Sequence, residues 1–225
     1  VSVSDLVALP FQWGAAIRGK RLFHPIGVLA EGFIERTAPA GEGLPISSSE
    51  VVARVSKAGG TPGALPDFVG LAFRVTPPQA AGPWDILVVS SGSGVLSRAL
   101  ALRPAISWSG QTLNTLMPLH YRGANWWLRA RIESELDGPG LSLDSVRERL
   151  QHDPIAVSLD QACGRGDFTP LGRLTLTGAL DPERAPDVSF DPVVNTAPGV
   201  SLHPRWLADL RARAYRRSRH GRDAD

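Results

Sequence analysis

Apolar and polar residues alternate along much of this chain with the two-residue period of a β-strand. The clearest case is 126–132. Trp127, Arg129 and Arg131 fall on one face there, and Trp126, Leu128, Ala130 and Ile132 on the other. Six further runs, 27–37, 51–56, 70–75, 84–90, 154–159 and 171–178, are rich in β-branched or aromatic residues. Most are bounded by Gly, Pro, Asp or Ser. Seven short strands with few long helices among them predict an antiparallel barrel or sandwich rather than a parallel α/β sheet. The expected fold class is mainly β with added helices (α+β), in a single domain over 1–225.

Two stretches switch to helical spacing. Residues 141–151 (LSLDSVRERLQ) predict a helix in which Ser145 and Glu148 stand at capping-box spacing. Residues 204–220 predict another: Pro204 suits a first turn, Trp206, Leu207, Leu210 and Ala214 form an apolar stripe, and Gly221 suits the stop. Between the last strand and this helix, the Pro-rich stretch 181–203 reads as an extended wrapping segment.

Composition narrows the function classes. With 43% hydrophobic residues the chain can build a core, and its net charge of +2 gives no global field for nucleic acid or a membrane surface. Seven Arg are nevertheless concentrated between Arg205 and Arg222. The single cysteine, Cys163, allows no internal disulfide, which fits a cytoplasmic location. No apolar run approaches the roughly 20 residues of a membrane span. Residues 1–21 lack the charged-then-apolar order of a signal peptide.

Candidate chemistry begins on the last helix. At about 100° per residue, Tyr215 lies about 40° from Arg211 around the axis and Arg222 about 20° from Tyr215, so all three share a face. A guanidinium one turn before a tyrosine can hydrogen-bond the phenol oxygen and favour the phenolate. A phenolate is a hard anionic ligand for iron.

The chain also carries ordered blocks. These are RLFHPIGVLAEGFIE (21–35), VVARVSKAGGTPGALPDFVGLAFRV (51–75), WDIL (84–87), LNTLMPLHYRGANWWLRARI (113–132) and FDPVVNTAPGVSLHPRWLADLRARAYRRSRHGR (190–222). In that order they resemble the haem catalase superfamily, in a trimmed form close to its small catalase-related peroxidases. The resemblance implies a catalase-like antiparallel β-barrel over 21–178, a helical lead-in over 1–20 and a proximal haem helix over 204–222. It implies haem b as cofactor, with Tyr215 as the metal ligand and Arg211 beside its phenolate. His24 resembles the distal catalytic base, and Ser56 the serine that orients it. Arg21, Arg54 and Arg222 match the arginines that pair with haem propionates, a task suited to a planar fork.

The match departs from the family at Ser90. It stands six residues after Trp84, where catalases carry an asparagine, and 90–100 contains no aromatic residue. This implies a more open, more polar peroxide site, with Ser90 as its third catalytic residue. The expected function is an oxidoreductase that reduces hydrogen peroxide or organic hydroperoxides with a separate reductant, peroxidase-like and weak as a catalase. Neither nucleic acid nor a membrane is an expected partner, and a homo-oligomer is compatible with the reading. The alternative is a haem-free module on the same barrel, holding an anionic or fatty-acid-like ligand in an Arg-lined cavity.

Other residues carry structural readings. His120, His152, His203 and His220 stand at no metal-ligand spacing. Asp67, Asp85, Asp160 and Asp191 suit turns and caps better than catalysis. GGTPG (59–63) lacks the Lys and following helix of a phosphate loop. The six Trp suit core or haem-edge packing better than a base-stacking platform.

Overall fold

The computed structural model describes residues 27–57, 59–76, 82–91, 102–181 and 188–203. Seven long strands lie where alternation predicts them. They are β1 (Gly27–Arg36), β2 (Ser49–Lys57), β3 (Val69–Val75), β4 (Trp84–Ser90), β7 (Ala124–Ile132), β8 (Ile155–Cys163) and β9 (Thr169–Ala179). Three short strands join them: β5 (Thr112–Asn114), β6 (Leu119–Tyr121) and β10 (Ser201–Leu202). The helix α1 spans Leu143–His152. The expected lead-in helix over 1–20 and proximal helix over 204–222 lie outside the described residues.

Sequence neighbours pair antiparallel from β1 through β4, then β5, β7, β8 and β9, and β9 returns to β1. The eight strands therefore close into an up-and-down barrel. Bulges at Glu31/Gly32 and Leu159/Asp160 bend the strands that make the closing pairs. A two-residue turn at Arg122 (φ 49°) and Gly123 (φ 76°) joins β6 to β7. Two successive positive φ values match the twist of the flanking strands, which is why hairpins favour this turn.

Every second residue points inward. Val28, Ala30 and Ile34 from β1, Val51, Ala53 and Val55 from β2, Leu71 and Phe73 from β3, and Trp84, Ile86 and Val88 from β4 form one continuous core. Leu128, Ala130, Val157, Leu159, Leu174 and Leu176 complete it from the other side. An eight-stranded barrel is just wide enough for its own side chains, so this interior is a packed core. Helix α1 and the buried Trp108, whose indole donates to the Ser142 carbonyl at 2.9 Å, belong to the loops at one end. The helix is capped by Ser142, whose hydroxyl accepts from Asp144 N. This corrects the expected Ser145–Glu148 box. Ser145 is buried inside the helix, where its hydroxyl lies close against Gly138.

One strip of the wall is incomplete. Among the described residues, β5 pairs with the far end of β4 and β6 pairs with β7 and β10, so the Trp84 half of β4 meets no described β-strand on that side. Residues 188–203 cover the strip. Asp85 N donates to the Asn195 carbonyl at 3.0 Å, and β10 pairs with β6 through Ser201↔His120 and Leu202↔Leu119. A cavity of about 20 Å³ remains beneath, lined by Asp85, Leu87, Thr115, Met117, Leu119 and Pro192 among others. It has room for about one water.

Candidate functional site: the outer panel of strands β1 to β4

Strand registry builds this face row by row. Gly27, Ser56, Gly70 and Val89 stand side by side across β1–β4, pointing away from the core. The next row is Leu29, Arg54, Ala72 and Leu87, and the third is Glu31, Val52, Arg74 and Asp85. The first row carries nothing larger than valine, and Ala72 keeps the second low between Arg54 and Leu87, which leaves a shallow, mostly apolar shelf. Two glycines keep it so. A Cβ on Gly70 would sit 3.0 Å from Ser56 Oγ, and one on Gly27 would sit 2.8 Å from Arg54 Cγ. Gly70 and Ala72 are buried although they face outward.

Ser56 and Arg54 are thus adjacent on one face of β2, as the i, i+2 spacing of a strand requires. No described residue engages the Ser56 hydroxyl. The Arg54 guanidinium donates to the Val188 carbonyl at 3.0 Å and lies 5.4 Å from the centre of the Phe190 ring. Arg74 covers the same ring at 5.5 Å. Phe190 is therefore flanked by two cations, a contact worth about 0.5–1 kcal/mol each at partly exposed sites.

Asp85 is the anchor of the panel. Its side chain is fully buried, and it takes two hydrogen bonds from Arg74, at 2.6 and 2.8 Å. It also accepts from Asp191 N at 2.8 Å and Asn195 Nδ2 at 2.7 Å. Hydrogen bonding to Asp85 pushes the Arg74 guanidinium up, against the opposing effect of burial. Asp191 accepts from Val193 N and Val194 N and so shapes the turn after Phe190. These contacts lay the block that opens with Phe190-Asp191-Pro192 directly beside β2–β4.

Ser90 is placed elsewhere. Counting from Trp84 in steps of two puts it on the inner face, where it is 1% exposed. Its hydroxyl donates to the Arg103 carbonyl at 2.7 Å and accepts from Val69 N at 3.1 Å. Ser56 and Ser90 therefore lie on opposite faces of the sheet. His24, Arg21, Arg211, Tyr215 and Arg222 lie outside the described residues.

The other singled-out groups have local tasks. In the 59–67 loop, Gly59 N, Thr61 N and Phe68 N all point at the Asp67 carboxylate, at 2.6 to 2.8 Å. The Gly-rich turn thus already encloses an anion of its own, where a phosphate loop would leave its N–H groups for a ligand. Burial acts to raise Asp67, but these N–H groups and the Thr61 hydroxyl outweigh it and hold the carboxyl below the usual range. Lys57, pushed down by burial, donates to the Gly63 and Leu65 carbonyls beneath. Asp160 pairs with Arg129, at 2.8 Å. Trp84 and Trp108 are core residues. A residue with no motif to reveal it, Arg36, donates to the carbonyls of Ala38, Pro39, Glu42, Leu44 and Ile46. All five of its N–H donors are used to hold the β1–β2 loop.

Among the described residues no group of three or more His, Cys, Asp or Glu could hold a metal ion, and no helix is long and apolar enough to cross a membrane. No protein-family model matches the sequence, and no curated protein matches it.

Proposed function

We propose that this protein is a haem-dependent peroxidase of the catalase type, which holds its cofactor against the outer panel of β1–β4. The observation that carries the reading is the shared outward face of Ser56 and Arg54 over a shelf kept flat by Gly27, Gly70 and Ala72. A planar macrocycle needs such a surface, since a larger side chain at Gly27, Gly70 or Ala72 would lift it away. The Phe190-Asp191-Pro192 block, fastened to the same face through Asp85, supports the reading from the other end of the chain. The packed interior supports it too, because a ligand of haem's size finds no space inside the barrel.

In this reading haem supplies the redox chemistry that splits the peroxide oxygen–oxygen bond. The chain's residues supply binding and proton handling. Arg54, at the edge of the shelf, offers a planar cation to a carboxylate lying across β2. The Ser56 hydroxyl can accept from one imidazole nitrogen and leave the other to take a proton from a bound hydroperoxide, which is the role assigned to His24. Arg211 favours the phenolate of Tyr215 as iron ligand. Ser90, committed inside the barrel by its two hydrogen bonds, belongs to the wall at the end of β4. The substrate reading remains hydrogen peroxide or an organic hydroperoxide, with a separate reductant.

Haemin titration tests this directly. The full chain should take up one haemin with a Soret band, Tyr215→Phe should lose that band, and His24→Ala should keep the band but lose peroxidase turnover. Gly70→Leu, which fills the shelf from β3, should abolish uptake while leaving the far-ultraviolet circular dichroism unchanged. Full haemin loading in Gly70→Leu would remove the panel as the site. Absence of any Soret band in the parent chain would remove the haem reading and favour the haem-free module for an anionic or fatty-acid-like ligand.

A further inference from the structure

Two histidines that are far apart in the sequence meet at the edge of the barrel. Ser201 stands opposite His120 in the β10–β6 pairing, so His203, two residues on, projects from the same face. The ladder continues through His203 N, which donates to the Pro118 carbonyl at 3.0 Å. The rings of His120 and His203 lie with centroids 5.5 Å apart and planes tilted by 34°. His120 is half-buried and His203 exposed, so a small ion can approach from solvent.

Two details give this pair the chemistry of a metal site. The first is distance. With metal–nitrogen bonds of about 2.0–2.1 Å, a ring centroid lies roughly 3.2 Å from the ion, so two imidazoles on one tetrahedral ion have centroids about 5.2 Å apart. The observed spacing requires only a slight opening of that angle. The second is the partner behind the ring. His120 Nδ1 lies 3.0 Å from Asn125 Oδ1, and an amide oxygen only accepts, so Nδ1 carries the proton and Nε2 keeps its lone pair. A carbonyl oxygen that fixes the tautomer in this way is the usual second contact of a ligating histidine.

We infer that His120 and His203 bind one divalent transition ion of the nickel, copper and zinc group, with water filling its other positions. Imidazole nitrogen suits these ions, and copper binds such a pair most tightly. The ion bridges β6 and β10 and so fastens the end of the 188–203 segment, whose beginning Asp85 holds. This site is separate from the outer panel and does not depend on haem.

The test uses the untagged chain, free of haem, titrated with Cu²⁺ and Zn²⁺. One Cu²⁺ per chain should bind at micromolar concentration, with an electron paramagnetic resonance spectrum showing two equatorial imidazole nitrogens. His120→Gln and His203→Gln should each reduce the signal to one nitrogen or none, and Asn125→Ala should weaken binding by about tenfold. Zn²⁺ should slow hydrogen exchange at His203 N in the parent chain and leave it unchanged in His120→Gln. Retention of the two-nitrogen spectrum in both histidine variants, or failure of the parent chain to bind below millimolar metal, would overturn the site.

Discussion

The outer wall of the barrel has two unlike halves. On β7–β9 several outward positions are charged, although Trp127 and the buried Ala162 share that face. Arg129 pairs with Asp160, Arg173 with Glu133 at 3.1 Å, and Arg131 is exposed. On β1–β4 the first two outward rows are mostly small or apolar around Arg54, and Gly70, Ala72 and Asp85 are buried. The first half is an ordinary antiparallel sheet with one wet face, and the second resembles a sheet buried on both faces. A sheet acquires a second dry face only when something covers it. Here the Phe190–Asn195 turn covers part of it.

The largest expected effect sets the interior apart from both halves. Phe73→Ala should cost about 3–5 kcal/mol in urea unfolding, because the cavity lies in a closed barrel with little freedom to collapse. A loss below about 1 kcal/mol would show that the interior is looser than described.

The next two changes compare the halves directly. Asp85→Ala should cost about 3 kcal/mol, since it strands Arg74 and removes the acceptor of Asp191 N and Asn195. Exchange at Asp191 N should rise with it. Asp160→Ala, the corresponding loss on the wet half, should cost about 1 kcal/mol or less. Equal losses from the two variants would erase the distinction. The smallest effect is one of pH. The Asp67 carboxyl is held below its ordinary value, so its contribution is complete above about pH 4 and is lost as the pH falls through its lower folded value. Acid unfolding of Asp67→Asn should therefore show a shallower slope below pH 4 than the parent chain.

Much of this frame was legible in the sequence because a strand with one face in the core writes its period into its residues. Trp126 to Ile132 alternates, and Leu128, Ala130 and Ile132 are core residues. Strands β5, β6 and β10 left no such trace, being two or three residues long and defined by their partners. The cap was placed one turn late: Ser145 has capping-box spacing to Glu148, yet it lies inside the helix beside Gly138, and Ser142 is the cap. The shared face of Arg54 and Ser56 follows from their spacing. The inward turn of Ser90 follows from the same rule, counted from Trp84. The meeting of His120 and His203 could not be read, because it depends on which strand β10 chooses.

The strip between β4 and β6 has a consequence for biosynthesis. The barrel closes only when β9 finds β1, and its wall is complete only when residues 188–203 have been laid across the strip. Both events join early residues to late ones. A chain translated only as far as β8 therefore holds an open, curled sheet with its apolar lining towards water. Such long-range closure folds slowly and leaves the nascent chain prone to association. The native wall can form only after β9 and residues 188–203 have been made.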